Sequence, residues 1–224
     1  MTRRKSLVTG AAAGVLAAGA ALYIAGFPGG NAAQAEPVEI AEGIVETPAC
    51  VLDGAARGAI ERATTGEVAA MQVIDRGISL ATLPFEGPDG GAMTLADLGD
   101  GTKLLNLWAT WCAPCRAEMP HLDELAKEGA AEGSLTVVAL NVDTGDADKP
   151  KRFLDEIGVE NLPLYREPTM QAFSGLRLAE LAVGLPVTAL IDGEGCVLAA
   201  MNGPAVWNSP DAKALIAAAN ALGR

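Results

Sequence analysis

The chain has 224 residues and a formal net charge of −12 at pH 7, and half of its residues are hydrophobic. This length suits one domain with accessory segments, and the apolar content is enough for a substantial core. From Glu36 onward the chain carries 13 basic and 28 acidic residues, a net charge of −15. Such a charge disfavours nucleic acid and anionic membrane surfaces as ligands.

The N-terminus predicts a single-pass anchor in the inner membrane over residues 1–28. Three cations, Arg3, Arg4 and Lys5, precede an uncharged run of 21 residues at 7–27. This run is long enough to span a bilayer as a helix, with the cations left in the cytoplasm. A cleaved signal peptide is the alternative, because residues 33–35 resemble a cleavage site. Either way the rest of the chain is expected in the periplasm, an oxidising compartment.

The next two segments are expected to be a flexible tether and a helical extension. Residues 29–49 contain Pro, Gly, Asn, Gln and acids without periodicity, which favours a flexible tether. Residues 50–76 predict a helical extension, because apolar side chains recur at helical spacing. These are Leu52, Ala55, Ala56, Ala59, Ile60 and Ala63.

Residues 77–224 predict an α/β domain with a mixed central sheet. Leu83–Phe85 and Ala92–Leu95 flank a Gly- and Pro-rich turn and predict a β-hairpin. Apolar runs then alternate with helical patterns. The expected strands are 103–108, 135–142, 162–165, one that opens at Pro186, and 196–201; the expected helices are 112–127, 146–157, 169–183 and 209–222.

The stretch Trp111-Cys112-Ala113-Pro114-Cys115 lies between the first of these strands and its helix. Two thiols three residues apart at a helix start can close a small disulfide ring. The leading thiol lies where unpaired N–H groups and the helix dipole favour an anion, so thiolate should be available near neutral pH. Pro114 is tolerated in the first turn of a helix. Trp111 is expected to shield the dithiol and to meet partners.

A strand, Trp-Cys-x-Pro-Cys, a helix and a Pro five residues after the second Cys resemble a thioredoxin-fold active site. The longer pattern, LNLWATWC with Arg-x-Glu-Met-Pro after the motif, is similar to the TlpA/ResA/CcmG-like family of membrane-anchored thioredoxin-like reductases. The resemblance implies a thioredoxin-like fold with an N-terminal hairpin and a helical extension. The alternative, half of a zinc site, needs a second Cys or His pair. The chain offers only His121, Cys50 and Cys196, which lack that spacing.

Cys112 is predicted to be the nucleophile and Cys115 the resolving thiol that expels a bound partner. Glu118 follows Cys115 by three residues on the same helix face. The resemblance implies that this acid manages the proton on the thiols, whereas a solvated surface residue is the alternative. Asn106 occupies the position where thioredoxin carries a buried acid, so Glu118 is the nearest substitute. His121 should point away from the thiols and is expected to be inert.

The resemblance also implies a cis peptide bond before Pro186, which should face the dithiol. It further implies a structural disulfide between Cys50 and Cys196, since the family has a second cysteine pair in matching places. An even number of cysteines in an exported domain agrees with pairing. The alternative is two free thiols.

The spacer residues Ala113 and Pro114 carry no charge, which favours a reducing dithiol. We therefore expect a protein-disulfide reductase that needs no cofactor and no metal. The resemblance implies clients in cytochrome oxidase maturation, a Sco-like copper chaperone and the copper-binding oxidase subunit. It also implies a membrane electron donor of the DsbD/CcdA type. Apocytochrome thiols are the alternative substrate, and a thiol peroxidase or a copper-binding chaperone fits less well.

Overall fold

The structure is a computed structural model that describes residues 36–224. The predicted anchor at residues 1–28 lies outside the described residues and stays a prediction. No helix within 36–224 is both long enough and apolar enough to cross a membrane.

The described chain begins with two short strands, β1 (Val38–Ala41) and β2 (Ile44–Glu46), which pair antiparallel. The tether expected over residues 29–49 therefore does not extend through this hairpin. Its turn contains Gly43 at a φ of +71°, where a Cβ would lie 2.4 Å from the Thr82 carbonyl oxygen. Of the hairpin residues, Ile44 is fully buried and the others are half-buried or exposed.

The helical extension contains α1 (Gly54–Ala63), which begins where the Asp53 carboxylate accepts a bond of 2.8 Å from the Ala56 amide. This is a common N-cap arrangement. Two short strands follow, β3 (Gln72–Val73) and β4 (Ile78–Ser79). The second pairs with β2 and completes a three-stranded sheet.

The remaining elements alternate between strands and helices as predicted. In chain order they are β5 (Pro84–Glu86), β6 (Ala92–Thr94), β7 (Lys103–Trp108), α2 (Ala113–Glu132), β8 (Thr136–Asn141), α3 (Asp148–Glu156), β9 (Tyr165–Arg166), α4 (Gln171–Leu178), β10 (Val187–Ile191), β11 (Val197–Asn202) and α5 (Pro210–Asn220).

Eight strands form the main sheet in the order β3-β11-β10-β7-β8-β9-β5-β6. The strands β7, β8 and β9 run parallel and the other pairs are antiparallel, which confirms the mixed sheet. All six residues of β7 are buried. The register pairs Trp108 with Asn141 and Asn141 with Arg166, so the carboxyl ends of the parallel strands meet at one edge.

Helix α4 ends at Leu178, whereas the pattern predicted a helix to residue 183. Glu180 adopts a φ of +62°, and the amide N–H groups of Leu181 and Ala182 both return to the carbonyl oxygen of Leu176. This arrangement closes the helix end in the way that a C-terminal glycine usually does. Glutamate rarely takes this conformation, so the amino-acid pattern held no stop signal.

Candidate active site

The two motif cysteines lie at the N-terminus of α2 and are joined by a disulfide, with 5.3 Å between their Cα atoms. Cys112 is the N-cap residue, and its sulfur accepts a bond of 3.3 Å from the Cys115 amide. Cys112 is 5% exposed and Cys115 is fully buried. A partner can therefore reach Cys112 and not Cys115. Pro114 lies in the first helical turn, where its missing N–H leaves no bond unmade.

The loop that leads to Cys112 is held by Asp143. One carboxylate oxygen accepts from the Thr110 amide and the other from the Thr110 hydroxyl, each over 2.8 Å. Asn141 donates to the same carboxylate over 2.8 Å. Burial raises the pKa of Asp143, but the hydrogen bonds from Asn141 and Thr110 outweigh it and hold that pKa below its ordinary value. An ionised, buried carboxylate thus fixes the loop two residues before the nucleophile.

Sequence reasoning missed Asp143, although a signal existed. This acid follows β8, the parallel neighbour of β7, so both strand ends deliver their next residues to one edge of the sheet. An acid just after the end of β8 therefore lies beside the loop that follows β7.

Trp111 is 62% exposed and immediately precedes Cys112. That Trp111 shields the dithiol and meets partners stays a prediction. Trp108, in contrast, is fully buried and donates from Nε1 to the Ala139 carbonyl over 3.2 Å. One of these two tryptophans is therefore exposed to solvent and the other packs in the core.

The Leu185–Pro186 peptide bond is cis. Strand β10 begins at the next residue, Val187, which pairs with Leu107 of β7. Pro186 consequently lies beside the end of β7, at the same edge of the sheet as the loop to Cys112.

Glu118 is 1% exposed, so the solvated-surface alternative does not hold. Its Oε1 accepts from Asn106 Nδ2 over 2.7 Å, and its Oε2 accepts from Trp207 Nε1 over 2.9 Å and from the Ala205 amide over 3.2 Å. Burial raises the pKa of Glu118 to about 7, against the opposing effect of these three hydrogen bonds. This carboxyl can therefore both take and release a proton near neutral pH.

Asn106 connects Glu118 to the neighbouring strand, because its Nδ2 also donates to Thr188 Oγ1 over 2.9 Å. Its own Oδ1 is buried without a partner. Sequence reasoning identified Asn106 and Glu118 but missed Trp207 and Ala205. Those two residues are almost 90 positions away from Glu118, and nothing local in the sequence points to the contact.

The other two cysteines form a second disulfide, with 5.1 Å between the Cα atoms and 146 residues between the partners. It joins a short 3₁₀ turn at Pro48–Cys50 to the residue before β11. Both cysteines are 2% exposed. The bond ties the N-terminal extension to the main sheet, away from solvent.

Arg116 is the cation nearest to Cys112 along the chain, and its guanidinium carbon lies 5.1 Å from the centre of the Phe153 ring. This contact holds the charge over an aromatic face. The two residues between the cysteines, Ala113 and Pro114, carry no charge.

These features define a class of protein: a thioredoxin-like fold that carries a helix-capping dithiol and a buried carboxyl one helical turn further on. The Redoxin family model matches residues 78–216, and the chain belongs to that family. The predicted kinship with TlpA-, ResA- and CcmG-like proteins is thereby confirmed in its fold.

Named relatives agree with this assignment. The thiol:disulfide interchange protein HelX of Rhodobacter capsulatus is 35% identical over 129 residues, which cover 57% of this chain and 65% of the relative. The thiol-disulfide oxidoreductase ResA of Bacillus subtilis is 29% identical over 60% of this chain and 72% of its own length. For the interchange protein CycY of Rhizobium leguminosarum the match covers 58% of the relative.

Solved structures confirm the fold. A protein of Chlorobium tepidum, assigned as the thiol:disulfide interchange protein DsbE, superposes with a TM-score of 0.52 at 28% identity. The superposition covers 61% of this chain and 92% of that structure. A secreted thiol-disulfide isomerase of Corynebacterium glutamicum has a TM-score of 0.54 at 22% identity, which supports the fold alone.

Proposed function

We propose that this chain is a thiol-disulfide oxidoreductase that reduces disulfides of partner proteins through Cys112 and Cys115. The observation that carries the proposal is the disulfide between these residues at the start of α2, with Cys112 slightly exposed and Cys115 fully buried. Relatives named as thiol:disulfide interchange proteins support it.

The reaction begins with the reduced dithiol. The Cys112 thiolate attacks one sulfur of the partner's disulfide, so a mixed disulfide forms and the other partner sulfur leaves as a thiolate. Cys115 then attacks the Cys112 sulfur, which forms the internal disulfide and releases the second partner sulfur. Two electrons pass to the partner, and its two thiolates take up protons from their surroundings.

Glu118 is the group that accepts the proton of Cys115. Attack requires a thiolate, and Cys115 has no exposed surface from which water could remove its proton. Glu118 lies one helical turn away in the same interior, and its pKa of about 7 suits a base that must later release the proton.

The direction of transfer follows from what surrounds Cys112. The spacer residues Ala113 and Pro114 are uncharged, and Arg116 packs over Phe153. The Cys112 thiolate is thus stabilised by the start of α2 but by no charged spacer residue, and a dithiol with a weakly stabilised thiolate is a reductant. In an oxidising compartment such a protein needs a continuous electron supply. The proposal therefore includes the N-terminal inner-membrane anchor, a periplasmic domain and a membrane donor of the DsbD/CcdA type.

The clients proposed first are copper-site cysteines in cytochrome oxidase maturation, carried by a Sco-like chaperone and by the copper-binding oxidase subunit. Such thiols are oxidised easily before the metal arrives, so they need a reductant. The alternative is the haem-attachment cysteines of apocytochrome c. Both rest on the family resemblance of the motif around Cys112.

The reduction potential tests the proposed direction. The full chain in detergent is equilibrated with glutathione buffers while the fluorescence of Trp108 and Trp111 is followed. We expect a midpoint near the thioredoxin value of about −270 mV. A midpoint near the DsbA value of about −120 mV would make the protein an oxidase or isomerase.

Client choice is tested with two oxidised peptides, one with a copper-site Cys-x-x-x-Cys and one with a haem-site Cys-x-x-Cys-His. A faster reduction of the first peptide supports the copper-site role, and a faster reduction of the second supports the cytochrome c role. Consumption of hydrogen peroxide at a comparable rate would instead favour a thiol peroxidase.

A further inference from the structure

A cleft of about 200 Å³ opens between α2 and the segment after β11. It is lined by Glu67, Ala117, Glu118, His121, Pro204, Ala205 and Val206. Glu67 is exposed, His121 is half-buried and Glu118 is 1% exposed, so the cleft leads from the surface to the buried carboxyl. Its volume accommodates several water molecules, each of which occupies about 30 Å³ in the liquid.

Helix geometry places this cleft on the side of Glu118 that is away from the thiols. Cys115, Glu118 and His121 follow one another at intervals of three residues on α2. Each interval advances about 4.5 Å along the helix and turns about 60° around it. Cys115 and His121 therefore flank Glu118 from opposite sides. The expectation that His121 points away from the thiols agrees with this, but the expectation that it is inert ignores the cleft.

Among the described residues, no group that is hydrogen-bonded to Glu118 is a base that could take its proton. The groups bonded to the carboxyl are N–H donors from Asn106, Trp207 and Ala205. On the thiol side, Cys115 is held in the disulfide once the cycle is complete. A proton taken from Cys115 must nevertheless leave Glu118 before the next cycle. The cleft is an opening that joins this carboxyl to solvent.

We propose that this cleft is the route by which Glu118 releases the proton of Cys115 to solvent, and that His121 relays it. The inference rests on the proposed function and deepens it. Neutral imidazole accepts a proton from the Glu118 carboxyl through water in the cleft and passes it to bulk water, so Glu118 returns to the carboxylate. Imidazole is the side chain suited to this exchange near neutral pH.

The charges around the route agree with proton exit. Glu67 lies at the mouth of the cleft, and its amide donates to the Asp211 carboxylate over 3.3 Å, which places a second acid there. Within residues 36–224, Glu67, Glu118 and His121 are the titratable side chains that line the cleft. Negative charge at the mouth attracts the hydronium ion or buffer cation that carries the proton away.

Stopped-flow single turnovers of the reduced full chain with a disulfide peptide test the proposal, in dilute buffer at neutral pH. The pKa of about 7 leaves part of Glu118 protonated before the reaction, and this part must lose its proton through the cleft before it can accept the proton of Cys115. Fluorescence resolves a first phase, formation of the mixed disulfide at Cys112, and a second phase, attack by Cys115. We expect His121→Ala to leave the first phase unchanged and to slow the second by about tenfold. Added imidazole should restore the rate.

Two further variants separate proton relay from structure. His121→Gln keeps a polar side chain of similar size that cannot take up or release a proton near neutral pH, so it should behave as His121→Ala and respond to imidazole. Ala117→Leu narrows the cleft while His121 remains, so its second phase should be slow and should not recover with imidazole. If His121→Gln has the wild-type rate in the second phase, His121 is not the relay. If Ala117→Leu has that rate, the cleft is not the route.

Failure of the proposed function gives a different result. In that case the wild-type chain does not reduce the peptide, or Glu118→Gln has the wild-type second phase. The relay alone is overturned if the wild type is active, Glu118→Gln slows the second phase, and the His121 variants keep the wild-type rate.

Discussion

Asn106 donates to Oε1 of Glu118 over 2.7 Å, and neither residue is more than 1% exposed. Asn106 lies on the central strand and Glu118 on the helix that follows, so the strand amide orients a helix carboxyl. An amide cannot ionise at neutral pH, whereas the carboxyl beside it changes charge at a pKa of about 7. The acid of this site is therefore carried by α2 and not by β7.

Glu118→Gln should change the pH dependence of stability. The pKa of Glu118 is raised from 4.5 to about 7, so the folded state prefers the protonated acid. The stabilisation by this preference is complete below about pH 4.5 and is lost as the pH rises through about 7. From pH 4.5 to 8 the free energy of unfolding of the wild type should fall by about 3 kcal/mol relative to Glu118→Gln.

Urea denaturation of both proteins at several pH values measures this difference. The glutamine side chain of the variant preserves the hydrogen bonds from Trp207 and Ala205 through its carbonyl oxygen and does not titrate. Parallel stability curves would show that Glu118 ionises in the folded state as easily as in the unfolded state.

Cys112, and not Cys115, should form the covalent complex with a partner, because it caps the helix and is the more exposed of the two. Cys115→Ser should accumulate a mixed disulfide with a disulfide peptide, and Cys112→Ser should not. Non-reducing electrophoresis and peptide mass spectrometry identify the adduct. The reverse pattern would reassign the nucleophile.

Removal of the Cys50–Cys196 bond should affect stability and leave redox chemistry unchanged. The bond closes a loop of 146 residues. Loop entropy assigns such a bond a stabilisation of about 3–5 kcal/mol. The double Ala variant, which leaves no unpaired thiol behind, should lose that free energy of unfolding and keep the wild-type reduction potential. A shifted potential would mean that this bond takes part in electron transfer.

Thr110→Val should slow mixed-disulfide formation by Cys112 and lower stability. The variant keeps the side-chain shape but loses the hydroxyl that donates to the buried Asp143 carboxylate. A hydrogen bond to a charged group contributes about 1.5–3 kcal/mol. Thr110→Ser is the matched control, since it retains the hydroxyl and should react like the wild type. Equal rates in both variants would limit Asp143 to a structural role.

Trp111→Ala should weaken the reaction with protein clients more than the reaction with a small disulfide. A client must cover this exposed indole, and buried aromatic anchors dominate interface energies. Val38→Ala is the control, because Val38 is also 62% exposed but lies on β1. An equal loss of rate toward glutathione disulfide would place Trp111 in the chemistry at Cys112 instead.

Several elements were predictable because their signals are local. The apolar run of β7 and the helix start at Cys112 depend on neighbouring residues, and the sequence alone located both within a residue or so. Helix α5 was equally clear, since Ser209 caps it and Pro210 opens it. The hairpin of β5 and β6 followed from its Gly- and Pro-rich turn.

Other elements depend on contacts between distant segments. Strands β1 and β2 have few buried residues of their own; β1 pairs with β2, and β2 pairs with the distant β4. The end of α4 depends on the positive φ of Glu180, and glutamate is not a residue type that predicts a turn.

The dithiol, the order of the elements and the place of an acid three residues after Cys115 follow from the sequence alone, because motif spacing and periodicity are properties of adjacent residues. The environment of that acid is set by tertiary contacts. Trp207 and Ala205 reach Glu118 from a distant part of the chain, and burial in the folded protein raises the pKa of this carboxyl although their hydrogen bonds oppose the rise. Desolvation depends on every segment that packs around a group, so it exists only once the chain is folded.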